Sequence, residues 1–174
     1  MRRRTRGHAL WYNSALDAIR DAATLIQTLL LVLQTLLVLF LWTHDWIPLG
    51  RLNDVAAVRA RDSTARLITI TVVQSLPFTV LLLLSIVHMG QPRPHGLTLA
   101  LWIAYSILML GELRGWWWPY LVRQEPARAA RYRAMFGATH TFLPMRNGLA
   151  PNTAHVLLHS CTALTLLLLA LERR

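Results

Sequence analysis

Apolar positions fill this chain in four long runs. Residues 22–42, 67–87 and 97–111 carry no charge, and residues 152–171 are interrupted only by His155 and His159. At about 1.5 Å per residue the first two runs each reach the roughly 30 Å of a hydrocarbon core. A soluble fold of this size has no interior in which to bury helices so uniformly apolar. The pattern predicts an all-α membrane protein, a bundle of four transmembrane helices over about 22–42, 67–88, 97–118 and 153–171, with both termini on the same side. Only residues 43–66 and 112–151 remain as long connections, so 1–174 reads as a single integral membrane domain.

Local signals refine the elements. The first helix follows an amphipathic lead over residues 10–21, and Pro77 is expected to kink the second, with hydroxyls such as Thr79 accommodating the lost donor. The third run should continue through Glu112 and Arg114 toward Trp116, Trp117 and Trp118. Together with Trp42 and Trp46 these tryptophans predict an aromatic belt at the surface opposite the termini. Pro126 to Phe136 reads as a short amphipathic surface helix between helices three and four, with Arg128, Arg131 and Arg133 turned to headgroups. Pro144, Asn147, Gly148 and Pro151 make a turn-rich approach to the last helix, and Asn152 is placed to cap it.

Charge changes the picture in one respect. The net charge of +10 comes from 18 arginines and no lysine. With the arginines outside the apolar runs, the expected partner is a bilayer with anionic headgroups. Nucleic acid is not expected, because no binding module or aromatic-studded basic face accompanies the charge. The terminus side holds eight arginines (Arg2, Arg3, Arg4, Arg6, Arg20, Arg93, Arg173, Arg174) and the other side ten. The basic start resists translocation, which favours a cytoplasmic terminus side. The first run is too long for a secretory core and lacks a small-x-small cleavage site, so it is expected to stay as the first span. Arginine without lysine suggests a GC-rich genome and a bacterial inner membrane. Cys161, the single cysteine, sits in the fourth run as a small packing residue.

In lipid, helices associate through close packing and polar side chains. Thr24, Gln27, Thr28, Gln34 and Thr35 form one stripe; Thr71, Gln74, Ser75 and Ser85 a second; Thr98, Tyr105 and Glu112 a third. These are expected to meet as interhelical hydrogen bonds. Ala100, Ala104, Gly111 and Gly115 form a small-residue ridge, the last two a GxxxG, which predicts a packing seam within the chain or between copies.

The candidate chemistry gathers at the end away from the termini. His44 and Asp45 follow the first helix, Glu112 ends the third run, His140 lies in the long loop, and His155 and His159 share a face of the fourth helix. Glu112, His140, His155 and His159 are the candidate ligands for a transition metal, and histidines on facing helices are the alternative for haem. Arg114 or a loop arginine such as Arg146 is expected to pair with Glu112, with Phe142 and Leu143 dipping into the interface.

Several enzyme classes fit less well. Membrane di-iron oxygenases carry several histidine boxes where this chain has one HxxxH, and the HExxH glutamate, a nucleophile elbow and a phosphate-binding glycine loop are missing. Glu112, then Phe136 with His140, then His155 run in an order similar to the Glu, FxxxH and later His of the glutamate-dependent membrane proteases. Gly111 rather than a second glutamate stands beside Glu112, and the spans are fewer, so membership is not inferred.

The functional expectation is a small multi-pass protein acting as an interaction or assembly subunit, as a homo-oligomer or within a membrane complex. The alternative is a metal- or haem-binding enzyme or redox protein using the His/Glu cluster. A channel or carrier is the third.

Overall fold

The computed structural model describes residues 3–172, with side chains from Asp17 onward. Arg2, Arg173 and Arg174, the side chains of Arg3, Arg4 and Arg6, and the chain ends themselves lie outside the described residues. The elements in order are α1 (Arg3–Thr43), a 3-10 turn (Gly50–Leu52), α2 (Val55–Arg59), α3 (Thr64–Val87), α4 (His95–Glu112), a π turn (Leu113–Trp117), α5 (Trp118–Leu121), α6 (Pro126–Phe136) and α7 (Thr153–Glu172). No strand occurs among the described residues. Four helical stretches are long and apolar enough to cross a membrane: Asp17–Thr43, Thr64–Val87, His95–Leu121 and Thr153–Glu172. The third is longer than its uncharged run because α4, the π turn and α5 follow one another without a break.

The four long helices close into a ring in which α1 and α4 each pack against both α3 and α7. Cross-helix bonds fix the directions. Trp46 Nε1–H donates to Thr71 at 2.9 Å and Trp42 Nε1–H to Thr79 at 3.0 Å, while the Gly90 N–H donates to Gln27 at 3.0 Å, so α1 and α3 run antiparallel. Trp117 meets His159 at one end of α4 and α7, and Arg93 pairs with Glu172 at the other. The ring thus has one end at the α3–α4 turn and a second, the mouth, where α1 finishes and α7 begins.

Inside and outside are arranged in reverse of a soluble bundle. Leu36, Leu39, Val73, Leu83, Ile107 and Leu167 are exposed on the outer faces, whereas Gln34, Thr71, Ser75, Ser85, Thr162 and Thr165 are buried. The stripes meet as the sequence suggests in Ser85, whose hydroxyl donates to Gln34 Oε1 at 3.1 Å, but Thr35 and Gln74 turn outward. The apolar core fills the space between, with Leu30 and Leu37 of α1, Leu101 and Tyr105 of α4, and Leu158 and Leu169 of α7.

The mouth is covered by α6 and the loops around it. The helix has the predicted bounds, but its arginines are not free for headgroups. Arg131 donates to Asp62 at 2.7 Å, Arg128 to Glu125 at 2.8 Å and Arg133 to the Gly148 carbonyl at 2.7 Å. Pro119 explains part of the docking, because it has no N–H to give the carbonyl four residues earlier. That carbonyl, Gly115 O, accepts from Arg128 and from the Tyr132 hydroxyl, each at 3.2 Å.

Glu125 also takes a hydrogen bond from Arg114 at 2.8 Å. Desolvation works against its ionisation, yet the hydrogen bonds and charges of Arg114 and Arg128 outweigh it and hold the carboxyl below its ordinary range. The bridge is therefore intact above the ordinary glutamate range and is lost as pH falls through the lowered value. Hydrogen-exchange protection in α6, taken relative to the intrinsic rate at each pH, is expected to hold in mild acid and to fall only in strong acid.

Asn147 and Gly148, both at positive φ, form the two central residues of a tight turn closed by paired backbone bonds of 3.0 Å between Arg146 and Leu149. Asn-Gly suits this turn because both central positions need left-handed backbone. A Cβ on Gly148 would also sit 3.0 Å from Arg133 Nη1. Gly148→Ala is expected to cost about 1–2 kcal/mol, read as a fall in the midpoint of thermal unfolding.

Candidate functional site

The start of α7 organises the mouth. Asn152 Oδ1 accepts the His155 backbone N–H at 3.0 Å, the helix cap expected from the sequence. The same oxygen lies 2.6 Å from His155 Nδ1, and Asn152 Nδ2 donates to the Leu52 carbonyl at 3.3 Å. With Nδ2 engaged as the donor, Oδ1 is the acceptor, so His155 carries its proton on Nδ1 and the neutral ring leaves a lone pair on Nε2. One turn later the assignment inverts. Trp117 Nε1–H, a donor only, reaches His159 Nδ1 at 3.0 Å, so His159 carries its proton on Nε2.

Aromatic rings hold both imidazoles. The His155 ring centroid is 4.3 Å from Trp116, 5.1 Å from Phe136, 6.1 Å from His159 and 6.3 Å from His44. His44 Nδ1 donates to the Phe40 carbonyl at 2.8 Å and its Nε2 lies 3.4 Å from Asp45. Of the three consecutive tryptophans, Trp116 is buried and Trp117 is bonded to His159. Trp118 alone is exposed, at 49% against 7% for Trp116. The triplet is therefore not a uniform interfacial anchor, because the π turn brings Trp116 and Trp117 round toward α7.

Glu112 is 6% exposed. Its Oε1 accepts the Thr162 hydroxyl at 2.8 Å, and its Oε2 is buried with no hydrogen-bond partner. Neither expected arginine reaches it. Arg114 bonds to Glu125, and the Arg146 guanidinium lies over the Tyr120 ring at 5.9 Å. The reason is that Glu125 sits outside the bundle beside Arg114, whereas Glu112 is turned inward against α7.

Glu112, His155 and His159 line one cavity of about 1150 Å³ together with His44 and Trp116. Below this polar end the cavity becomes a groove between α3 and α4, walled by Val73, Val80, Ile103 and Ile107. These four side chains are exposed on the outer surface, so the groove opens sideways. Ala100, Ala104, Gly111 and Gly115 all line it, and a Cβ on Gly111 would meet nothing within 4 Å. No helix of the described chain fills the small-residue ridge. Pro77 adds a polar mark on the wall, since it leaves the Val73 carbonyl without its helical donor.

His140, the fourth candidate ligand, is not among the cavity's lining residues. It is exposed, its backbone N–H donates to the Arg51 carbonyl at 2.6 Å, and its Nδ1 is 2.7 Å from Thr153 Oγ1. Among the described residues no three His, Cys, Asp or Glu side chains come together as metal ligands. Trp116, Trp117 and Tyr132 are the site residues that sequence reasoning did not mark. For the two tryptophans the signal is the triplet followed at once by Pro119; Tyr132 has none. The chain matches no protein-family model, no curated protein and no solved structure.

Proposed function

We propose that this chain is a multi-pass protein of a bacterial inner membrane that takes up an amphiphilic small molecule from the bilayer. The hydrocarbon part lies in the groove between α3 and α4, and the polar part sits at Glu112, His155 and His159. The observation supporting this is a single cavity that runs from outward apolar helix faces to a buried, unpaired carboxylate oxygen. Apolar walls with a few placed polar groups are the usual make-up of a small-molecule site. In this reading both termini lie on the cytoplasmic side. On the opposite face α6 lies at the membrane surface, and the exposed Arg51, Arg61 and Arg123 contact anionic headgroups.

The test is mass spectrometry of the organic extract of purified protein, wild type and Gly111→Phe. The open space at Gly111 lets the phenyl ring occupy the groove without disturbing the core. A stoichiometric amphiphile is expected in the wild type and not in the variant, and identical extracts would sink the reading.

The unfilled ridge also favours a second reading, the assembly role, in which a helix of another copy or of a membrane complex packs there. Gly111→Phe would then convert an oligomer into a monomer in nanodiscs. A metal- or haem-using enzyme is less favoured, because with Nδ1 of His159 occupied and Nε2 protonated that ring has no lone pair to offer. Stoichiometric metal or a haem band, lost in the His155/His159 double alanine, would reverse that preference. A channel or carrier would show as solute flux in liposomes.

A further inference from the structure

We infer that the groove selects amphiphiles whose head is uncharged and both donates and accepts hydrogen bonds, such as an alcohol, over phosphorylated lipids. The inference rests on the amphiphile reading of the groove. It follows from what the polar end offers and what it lacks. His159 holds an N–H at Nε2 and His155 a lone pair at Nε2, and neither atom has a partner among the described residues. Glu112 Oε2 is buried and unpaired. A hydroxyl satisfies it in either protonation state, by donating to a carboxylate or by accepting from a carboxylic acid. One donor, one acceptor and one ambivalent group match a head that both donates and accepts.

What is missing is positive charge. The chain has 18 arginines, yet none among the described residues lines the cavity. Those packed about the mouth are already committed: Arg114 and Arg128 to Glu125, Arg131 to Asp62 and Arg133 to the Gly148 carbonyl. A phosphate placed there would meet a carboxyl group and aromatic rings with no cation to offset its desolvation.

The test uses the whole chain reconstituted in phosphatidylcholine vesicles with two photoactivatable probes of one chain length: diazirine-bearing hexadecanol and hexadecyl phosphate. The alcohol is expected to label α3 and α4 peptides, to be displaced by unlabelled hexadecanol, and to exceed the phosphate probe by about tenfold, the worth of roughly one good hydrogen bond. Glu112→Leu should erase that preference, and Glu112→Gln, which keeps the shape and the hydrogen bonding, should retain it. His159→Phe gives a second loss should the leucine variant fail to fold. Equal or stronger labelling by the phosphate probe overturns the head-group inference and leaves the groove standing. Labelling of α3 and α4 no greater than that of the outer face of α1 by every probe overturns the groove itself. A preference that survives both Glu112→Leu and His159→Phe overturns the assignment to these residues.

Discussion

Trp116→Ala is expected to destabilise the chain by about 3–5 kcal/mol, while Trp118→Ala, two residues on, should cost less than about 0.5 kcal/mol. The difference lies in where the rings go. Trp116 is 4.3 Å from Tyr132, 5.3 Å from Phe136 and 4.3 Å from His155, so it joins α6 to the start of α7. Its removal leaves a void between α6 and the start of α7, and uncovers His155. Trp118 has half its surface outside. Equilibrium unfolding in mixed micelles reads both values, and equal losses would mean that the triplet works as a surface anchor after all.

The second large effect is expected at Asn152, which is 2% exposed and serves three bonds at once. Asn152→Ala removes the cap of α7 and strands the Leu52 carbonyl, at a combined cost of about 2–3 kcal/mol. The more diagnostic consequence concerns the histidine. Without the Asn152 oxygen nothing holds the His155 proton on Nδ1, so the ring nitrogens should report a mixture of tautomers by ¹⁵N NMR. Asn152→Asp keeps the acceptor and should keep the tautomer, though it sets a carboxylate against the Leu52 carbonyl. An unchanged His155 spectrum in the alanine variant would show that another group orients the ring.

The long helices were legible because the physics that makes them is local. A stretch without charge and of sufficient length announces itself, as does the Asn152 cap after Pro151. The bounds of α6 could be read from Pro126 and from its periodicity. The destinations of its arginines could not, since Arg131 finds Asp62 across 69 positions. Nothing near Arg131 in the sequence distinguishes that carboxylate from a lipid headgroup. The tryptophans depart from a uniform belt for a different reason. A π turn inserts an extra residue into the helical phase, so a wheel drawn through residues 97–112 aims Trp116 wrongly. The two histidines were found from their spacing alone, but their opposite tautomers depend on a carbonyl 100 residues before Asn152 and on an indole from another helix.

The sideways opening of the groove sets the terms on which anything can compete for it. Whatever enters between α3 and α4 arrives from the phase those apolar faces touch. In the bilayer proposed here its concentration is set by partitioning rather than by its level in water. A weak intrinsic attraction is then enough for occupancy, because the membrane has already done the concentrating. Abundant lipids would hold the site by mass action unless something near Glu112 refuses them, so discrimination falls to a handful of polar atoms while the tail contributes residence. Evolution of a new ligand preference in such a protein would leave the apolar faces of the four spans untouched and show itself at Glu112 and in the one turn of α7 that carries His155 and His159.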